Sequence, residues 1–194
     1  MRNYLEFYID GAWVAPAQQR PLDVIDPATE QVAGRINLGQ AEDVDRAVAA
    51  ARRAFESYGR SSKAERLDLL DAVMAALSAR EQDLADAVRE EMGAPAALAM
   101  GAHVPLALAH FMTARQILPG FDPDRVAGST LLTKEPIGVV AMITPWNWPL
   151  NQIACKVAPA LAVGCTMVLK PSEVAPFSGH LFAEAMHAAG VPAG

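Results

Sequence analysis

Residues 135–173 read EPIGVVAMITPWNWPLNQIACKVAPALAVGCTMVLKPSE, and they decide the fold because two polar clusters follow directly on two apolar runs. Val139, Val140, Ala141, Met142 and Ile143 form an unbroken apolar run, the pattern of a strand buried on both faces of a parallel sheet covered by helices. Pro145 and Pro149 stop that strand. A proline lacks an amide hydrogen and has a fixed φ, so Pro149 suits the first turn of a helix, where that hydrogen would have no partner. The spacing predicts a helix from near Trp148 to Val163, closed by Gly164, which can take the left-handed conformation at a helix end. Cys165 to Leu169 then returns as a second buried strand. Strand, helix and strand make one right-handed crossover unit, and in such sheets ligands bind outside the carboxyl ends of the strands. Both polar clusters fall there: Thr144, Pro145, Trp146 and Asn147 after the first strand, Lys170, Pro171, Ser172 and Glu173 after the second. Neighbouring parallel strands lie about 4.8 Å apart, so adjacency would let one extended ligand meet both clusters.

Each of these residues also has a plainer reading. Asn147, after a proline and before an apolar helix, suits a helix cap. Lys170 before a proline suits a solvated strand end. Trp146 and Trp148 suit core or lip packing and need no catalytic role.

The wider sequence resembles the amino-terminal part of the NAD(P)-dependent aldehyde dehydrogenases. The resemblance covers nearly the whole chain: YIDGAWV and DPATE near the start, EEMGAP at Glu90 to Pro95, then TPWNWPL, KVAPALAVGCT, LKPSEVAP and the final GVPAG. TPWNWPL together with LKPSE is its most specific part. The dinucleotide fingerprint G-x-G-x-x-G is absent, as is usual in this family. The resemblance implies an α/β fold with a Rossmann-like parallel sheet and flanking helices, preceded by a β-hairpin and helices. Residues 1–118 would form the amino-terminal hairpin and helical part, 119–136 a loop and an oligomerisation-arm strand, and 137–194 the first β-α-β-α unit of the cofactor domain, with the catalytic domain absent.

The same resemblance assigns roles. Asn147 matches the oxyanion-hole asparagine, whose amide donates to the aldehyde oxygen as a catalytic thiolate adds to the carbonyl. Lys170 and Glu173 match residues that hold the adenine-side ribose, with Ser172 beside them, and the backbone of Ile143, Thr144, Pro145 and Trp146 lines the cofactor cleft. A carboxylate at Glu173 would repel a 2′-phosphate, so NAD is preferred over NADP, a preference that Lys170 and Ser172 would soften. The family's nucleophilic cysteine and general-base glutamate match nothing in this chain. Cys155 and Cys165 read as inert packing, and Glu90 and Glu91 as a helix end without a base motif. The 194-residue chain alone is therefore expected to be inactive. The wording EMGAP and TPWNWPLNQI resembles bacterial members acting on aliphatic or semialdehyde substrates. Two readings stand: part of an enzyme oxidising an aldehyde to a carboxylic acid, or a shortened, non-catalytic module that binds a nucleotide or pairs with longer subunits.

Composition narrows the field. With 194 residues, 52% hydrophobic and 20% charged, the chain can build a sizeable core and is not disordered. A net charge of −6 argues against a nucleic-acid partner. The apolar stretch Val157 to Leu169, bracketed by Lys156 and Lys170 and holding Pro159, is shorter than the ~20 residues of a membrane span. MRNYLEFYID has no signal-peptide core, and two cysteines suit a reducing compartment, so a cytoplasmic homo-oligomer without membrane contact is expected.

The remaining chain reads as scaffold. Phe7 to Ile9 and Ala12 to Val14 flank Asp10 and Gly11, a two-residue hairpin signal. From Glu42 a helix shows an apolar stripe of Val44, Val48, Ala51, Phe55 and Tyr58. Ser62 and Glu65 form a capping box opening a helix that continues to Met92, ended by Gly93 and Pro95. A third helix spans about Leu98 to Leu118, a loop runs from Pro119 to Gly128, and Thr130 to Glu135 reads as an exposed strand. Phe177 to Gly190 reads as an amphipathic helix. His103 and His110, like His180 and His187, lie seven apart on helices, about 10 Å in rise, too far for one metal; all four read as surface or partly buried.

Overall fold

The computed structural model describes residues 1–194. Its amino-terminal strands are β1 (Arg2–Tyr4), β2 (Phe7–Ile9), β3 (Ala12–Val14), β4 (Pro21–Asp26) and β5 (Gln31–Asn37). β2 and β3 form the expected hairpin, with Asp10 and Gly11 at φ 56 and 76, the left-handed pair that matches the twist of its strands. Unforeseen from the sequence is a three-stranded sheet in the order β1-β5-β4. Its turn lies in DPATE, where the Asp26 carboxylate accepts the Ala28 amide at 2.8 Å and Glu30 sits at φ 58.

Three helices follow: α1 (Ala41–Tyr58), α2 (Lys63–Ser78) and α3 (Glu81–Met92). The α1 stripe differs from the sequence reading. Ala50, Ala51, Ala54 and Tyr58 are buried, whereas Val44 is exposed, because α1 meets the strand later in the chain around Ala51, about two turns beyond Val44. Ser62 caps α2 by the expected box, its hydroxyl accepting the Glu65 amide and its own amide donating to the Glu65 carboxylate. The helix does not run on to Met92. It breaks at Ala79 and Arg80, which lets α3 turn its Leu84, Ala87 and Val88 face into the core, and Gly93 at φ 74 closes α3 in the left-handed cap.

The third helical stretch is α4 (Ala96–Leu98), a π-helical turn Ala99–His103, α5 (Val104–Ile117) and a closing 3-10 turn. This stretch, not Val157 to Leu169, has the length and apolar composition of a membrane span. α5 instead packs on other helices of the chain, with Val104, Ala107 and Phe111 buried. The expected loop after it is partly a hairpin: β6 (Asp124–Ala127) pairs antiparallel with β7 (Thr130–Thr133), turning at Gly128 with φ 63. Both strands are exposed along their length.

β8 (Val139–Ile143), α6 (Pro149–Ala162) and β9 (Thr166–Lys170) form the expected strand-helix-strand unit, and α7 (Phe177–Ala188) follows. β8 and β9 are parallel, with Val139 opposite Thr166 and Ile143 opposite Lys170. α6 covers one face, over Val140, Met142, Met167 and Leu169. α1 crosses the other near its start, where the Thr166 hydroxyl donates to the Ala51 carbonyl at 2.8 Å. Within β8 and β9 the expectation of two fully buried strands holds only at Met142 and Thr166; Val139, Val140, Met167, Val168 and Leu169 are half-buried, and the far end of β8 is open. Ile143 is 73% exposed and Ala141 is exposed, because α1 reaches only the amino-terminal part of that face. Gly164, at φ 84, closes α6 as expected. One cluster of 30 buried residues joins the strands to α2, α3, α5, α6 and α7. His180 on α7, stacked between Tyr4 at 3.7 Å and Trp13 at 4.0 Å, ties the amino-terminal strands to it.

Candidate active site

The register brings the two polar clusters together. Ile143 and Lys170 are opposite one another at the strand ends, and the Thr144 amide donates to the Lys170 carbonyl at 3.2 Å, extending the ladder one step beyond the strand. Thr144 is buried, whereas Pro145, Trp146 and Asn147 are exposed. Asn147 does not cap the helix. The N-cap position of α6 is Trp148, at φ −157, and no side chain accepts from the first turn. A carboxamide with two donors therefore stands at the surface beside a helix start, where free amides add positive potential.

The second cluster is set by β9 and the turn after it. The Lys170 ammonium donates to the Glu173 carboxylate at 2.9 Å, with both side chains more than half exposed. The hydrogen bond from Lys170 holds the Glu173 carboxyl below its ordinary range, so the carboxylate is an ionised acceptor. The Ser172 hydroxyl accepts the Val174 amide at 3.2 Å and shapes the turn. A groove of about 370 Å³ runs along β9 between α1, α7 and the β2–β3 hairpin; Lys170, Ser172 and Glu173 line it, and Asn147 does not.

Two polar residues near the site escaped the sequence reading. Glu91 is fully buried rather than a plain helix end, and its carboxylate accepts the amides of Phe177 and Ser178 at the start of α7. Burial pushes its carboxyl up to about 7, against the opposing pull of those hydrogen bonds. The signal was available, since Leu84, Val88 and Glu91 share one helix face by their spacing of four and three. His103 is likewise fully buried rather than at the surface or partly buried, stacked on Trp148 with ring centroids 4.0 Å apart and planes at 11°. Its position, four residues after Ala99 and four before Ala107, both buried, had marked it as a core site. Cys165 is buried as expected. Cys155 is only half-buried, with the Lys156 ammonium 3.7 Å from its sulfur.

Known proteins match this arrangement closely. A family profile described as the aldehyde dehydrogenase family matches residues 13–194. A 3-succinoylsemialdehyde-pyridine dehydrogenase of a Pseudomonas species is 55% identical over 195 residues, which cover 100% of this chain and 41% of that protein. The crystal structure of an aldehyde dehydrogenase from Bartonella henselae superposes with a TM-score of 0.97 at 40% identity, over 100% of this chain and 41% of that one. Aldehyde dehydrogenase C from Pseudomonas syringae, solved as a mutant with NAD+ and octanal, gives 0.96 at 48% identity over 97% of this chain and 39% of that one. The chain thus spans about two fifths of the length of the relatives it matches. By the extent of these matches and by its α/β architecture, the chain belongs to the aldehyde dehydrogenase family.

Proposed function

We propose that this chain is the amino-terminal portion of an enzyme that oxidises an aldehyde to a carboxylic acid with NAD(P). Asn147 is the oxyanion donor in that reading. Its side-chain amide donates to the aldehyde oxygen while a cysteine thiolate, carried by the rest of a longer polypeptide, adds to the carbonyl carbon. Negative charge grows on the oxygen as the carbon–sulfur bond forms, so a donor fixed beforehand favours the transition state over the ground state, typically by ~3 kcal/mol. The observation that carries the reading is the setting of Asn147: exposed, free of any capping role and just past the end of β8.

NAD(P), when bound, supplies the hydride acceptor. The residues present fit the nucleotide. Glu173 is an exposed, ionised carboxylate able to accept both hydrogens of a ribose diol, and Lys170 orients it through their ion pair. Ser172 shapes that turn, and in this reading the backbone from Ile143 through Thr144 and Pro145 to Trp146 would line the cofactor cleft beside the groove along β9, which those four residues do not themselves line. The carboxylate disfavours a 2′-phosphate, which supports NAD over NADP, as does the NAD+ complex of a relative. The name of the 55% identical relative supports a semialdehyde substrate. Within the enzyme, residues 137–194 begin the cofactor domain, and 119–136 form an arm that pairs with another subunit of a cytoplasmic homo-oligomer.

The reading is tested by the intact mass of the native polypeptide, captured with an antibody against residues 1–194, together with its turnover of a semialdehyde. A species more than twice 20.6 kDa that reduces NAD supports it. A native species of 20.6 kDa without turnover overturns it.

A further inference from the structure

We infer that His103 is a positioning residue for Asn147: its imidazole, stacked on the Trp148 indole, holds the turn that presents the Asn147 carboxamide. The inference rests on the reading of Asn147 as oxyanion donor.

The turn between β8 and α6 has few ties of its own. The Thr144 amide, bonded to the Lys170 carbonyl, anchors its start. Pro145 and Pro149 have no amide hydrogen to give, and Trp146 and Asn147 are exposed. At the far end Trp148 occupies the N-cap position without a side-chain cap, at φ −157 and ψ 63. The Trp148 carbonyl accepts the Gln152 amide, which ties it to α6, but no hydrogen bond fixes its side chain; the ring is held by lying flat on His103. Asn147 is the next residue back, so a change in the Trp148 backbone angles swings the carboxamide directly.

The other partner is built for stacking rather than for hydrogen bonding. Both ring nitrogens of His103 are buried and no protein group bonds either, so the contact His103 makes toward the site is through its flat face on Trp148. Burial lowers the imidazole's proton affinity and so favours the neutral ring. The π-helical turn Ala99–His103 delivers it there. Its wider winding shifts the register of the helical stretch by a fraction of a turn and carries His103 into the interior beside the start of α6. Seven residues on, His110 makes a second tie to the same first turn, its Nε2 lying 2.8 Å from Asn151 Oδ1. Two rings from one helical stretch thus grip the start of α6 at Trp148 and at Asn151.

The test compares His103→Ala and His103→Phe in the full polypeptide carrying this segment. The local readout is hydrogen exchange at the Gln152 amide, which donates to the Trp148 carbonyl at 2.9 Å, set against core amides of α2. The catalytic readout is the kcat for aldehyde oxidation with the KM for NAD. A displacement of about 1 Å at a reacting group costs up to about 100-fold in rate. His103→Ala is therefore expected to lower kcat about tenfold or more and leave the KM for NAD in place. Gln152 should exchange faster while α2 keeps its protection, and His103→Phe, which restores a flat ring, should recover both. Unchanged Gln152 exchange in His103→Ala overturns the clamp, as does failure of phenylalanine to rescue. Loss of protection throughout the protein in step with kcat marks a purely structural role and also overturns it. Absence of aldehyde turnover in the wild type sinks the oxyanion reading, and with it the catalytic half of the inference, while the Gln152 exchange still decides the clamp.

Discussion

Ile143 and Lys170 face each other in register at the carboxyl ends of β8 and β9, so the Asn147 cluster and the Glu173 cluster leave the sheet side by side. The first prediction concerns Glu173. Its ion pair with Lys170 is more than half exposed on both sides, and such pairs contribute about 0–1 kcal/mol to stability. Glu173→Gln should leave the unfolding midpoint in place while weakening NAD binding and narrowing the preference over NADP, since the amide no longer repels a 2′-phosphate. Calorimetric titration of the full protein with each nucleotide checks this. An unchanged NAD-to-NADP affinity ratio would count against a ribose-binding role.

A second prediction follows from Glu91. Its carboxyl is ordinary at 4.5 when exposed and about 7 in the fold, so the folded state holds the proton more tightly. The stability this contributes is complete below about pH 4.5 and is lost as the pH rises through 7. The shift corresponds to about 3 kcal/mol between those limits. Glu91→Gln keeps an acceptor for the Phe177 and Ser178 amides and removes the titration. Urea unfolding at several pH values should show wild-type stability falling relative to the variant across this window. Parallel curves would contradict the assignment.

Gly164 gives a test of the fold. It sits at φ 84, and a Cβ there would lie 2.4 Å from the Arg66 guanidinium, which is held by the Ser61 hydroxyl at 2.9 Å and the Gly59 carbonyl. The left-handed conformation costs a non-glycine residue about 1–2 kcal/mol, and Arg66 must also leave its partners. Gly164→Ala should lower stability by at least that amount in denaturant unfolding. A neutral result would place the end of α6 elsewhere.

The parallel pair β8 and β9 has no third strand, and β6 and β7 are exposed along their length. Unpaired edges recruit further strands. Residues 1–194 expressed alone should therefore self-associate, as sedimentation velocity would reveal; a monodisperse monomer would speak against it.

Local signals carried much of this architecture. Asp10 with Gly11 marked the hairpin, Ser62 with Glu65 the start of α2, and Pro149 with Gly164 the limits of α6, because each acts through its own backbone. The failures all involved packing between distant segments. Val44 shares the α1 stripe by spacing yet is exposed, since the strand it would meet lies elsewhere. The break at Arg80 has no glycine or proline to announce it. Asp124 to Ala127 looked like loop because its strand gains no burial and is defined only by pairing with β7. The placement of Asn147, Lys170 and Glu173 just past two strand ends, on which the proposed site rests, was legible from the apolar runs before them. His103 and Glu91 were read by residue type when their spacing along apolar faces gave the better guide.

Asn147 is the centre of the proposed chemistry, and the most direct measurement is single-turnover and steady-state kinetics of Asn147→Ala in the full polypeptide. Loss of an oxyanion donor should lower kcat by about 100- to 1000-fold, with NAD affinity unchanged within about twofold because uniform binding is untouched. A kcat within a few-fold of wild type, or a loss explained by weaker NAD binding, would contradict the account.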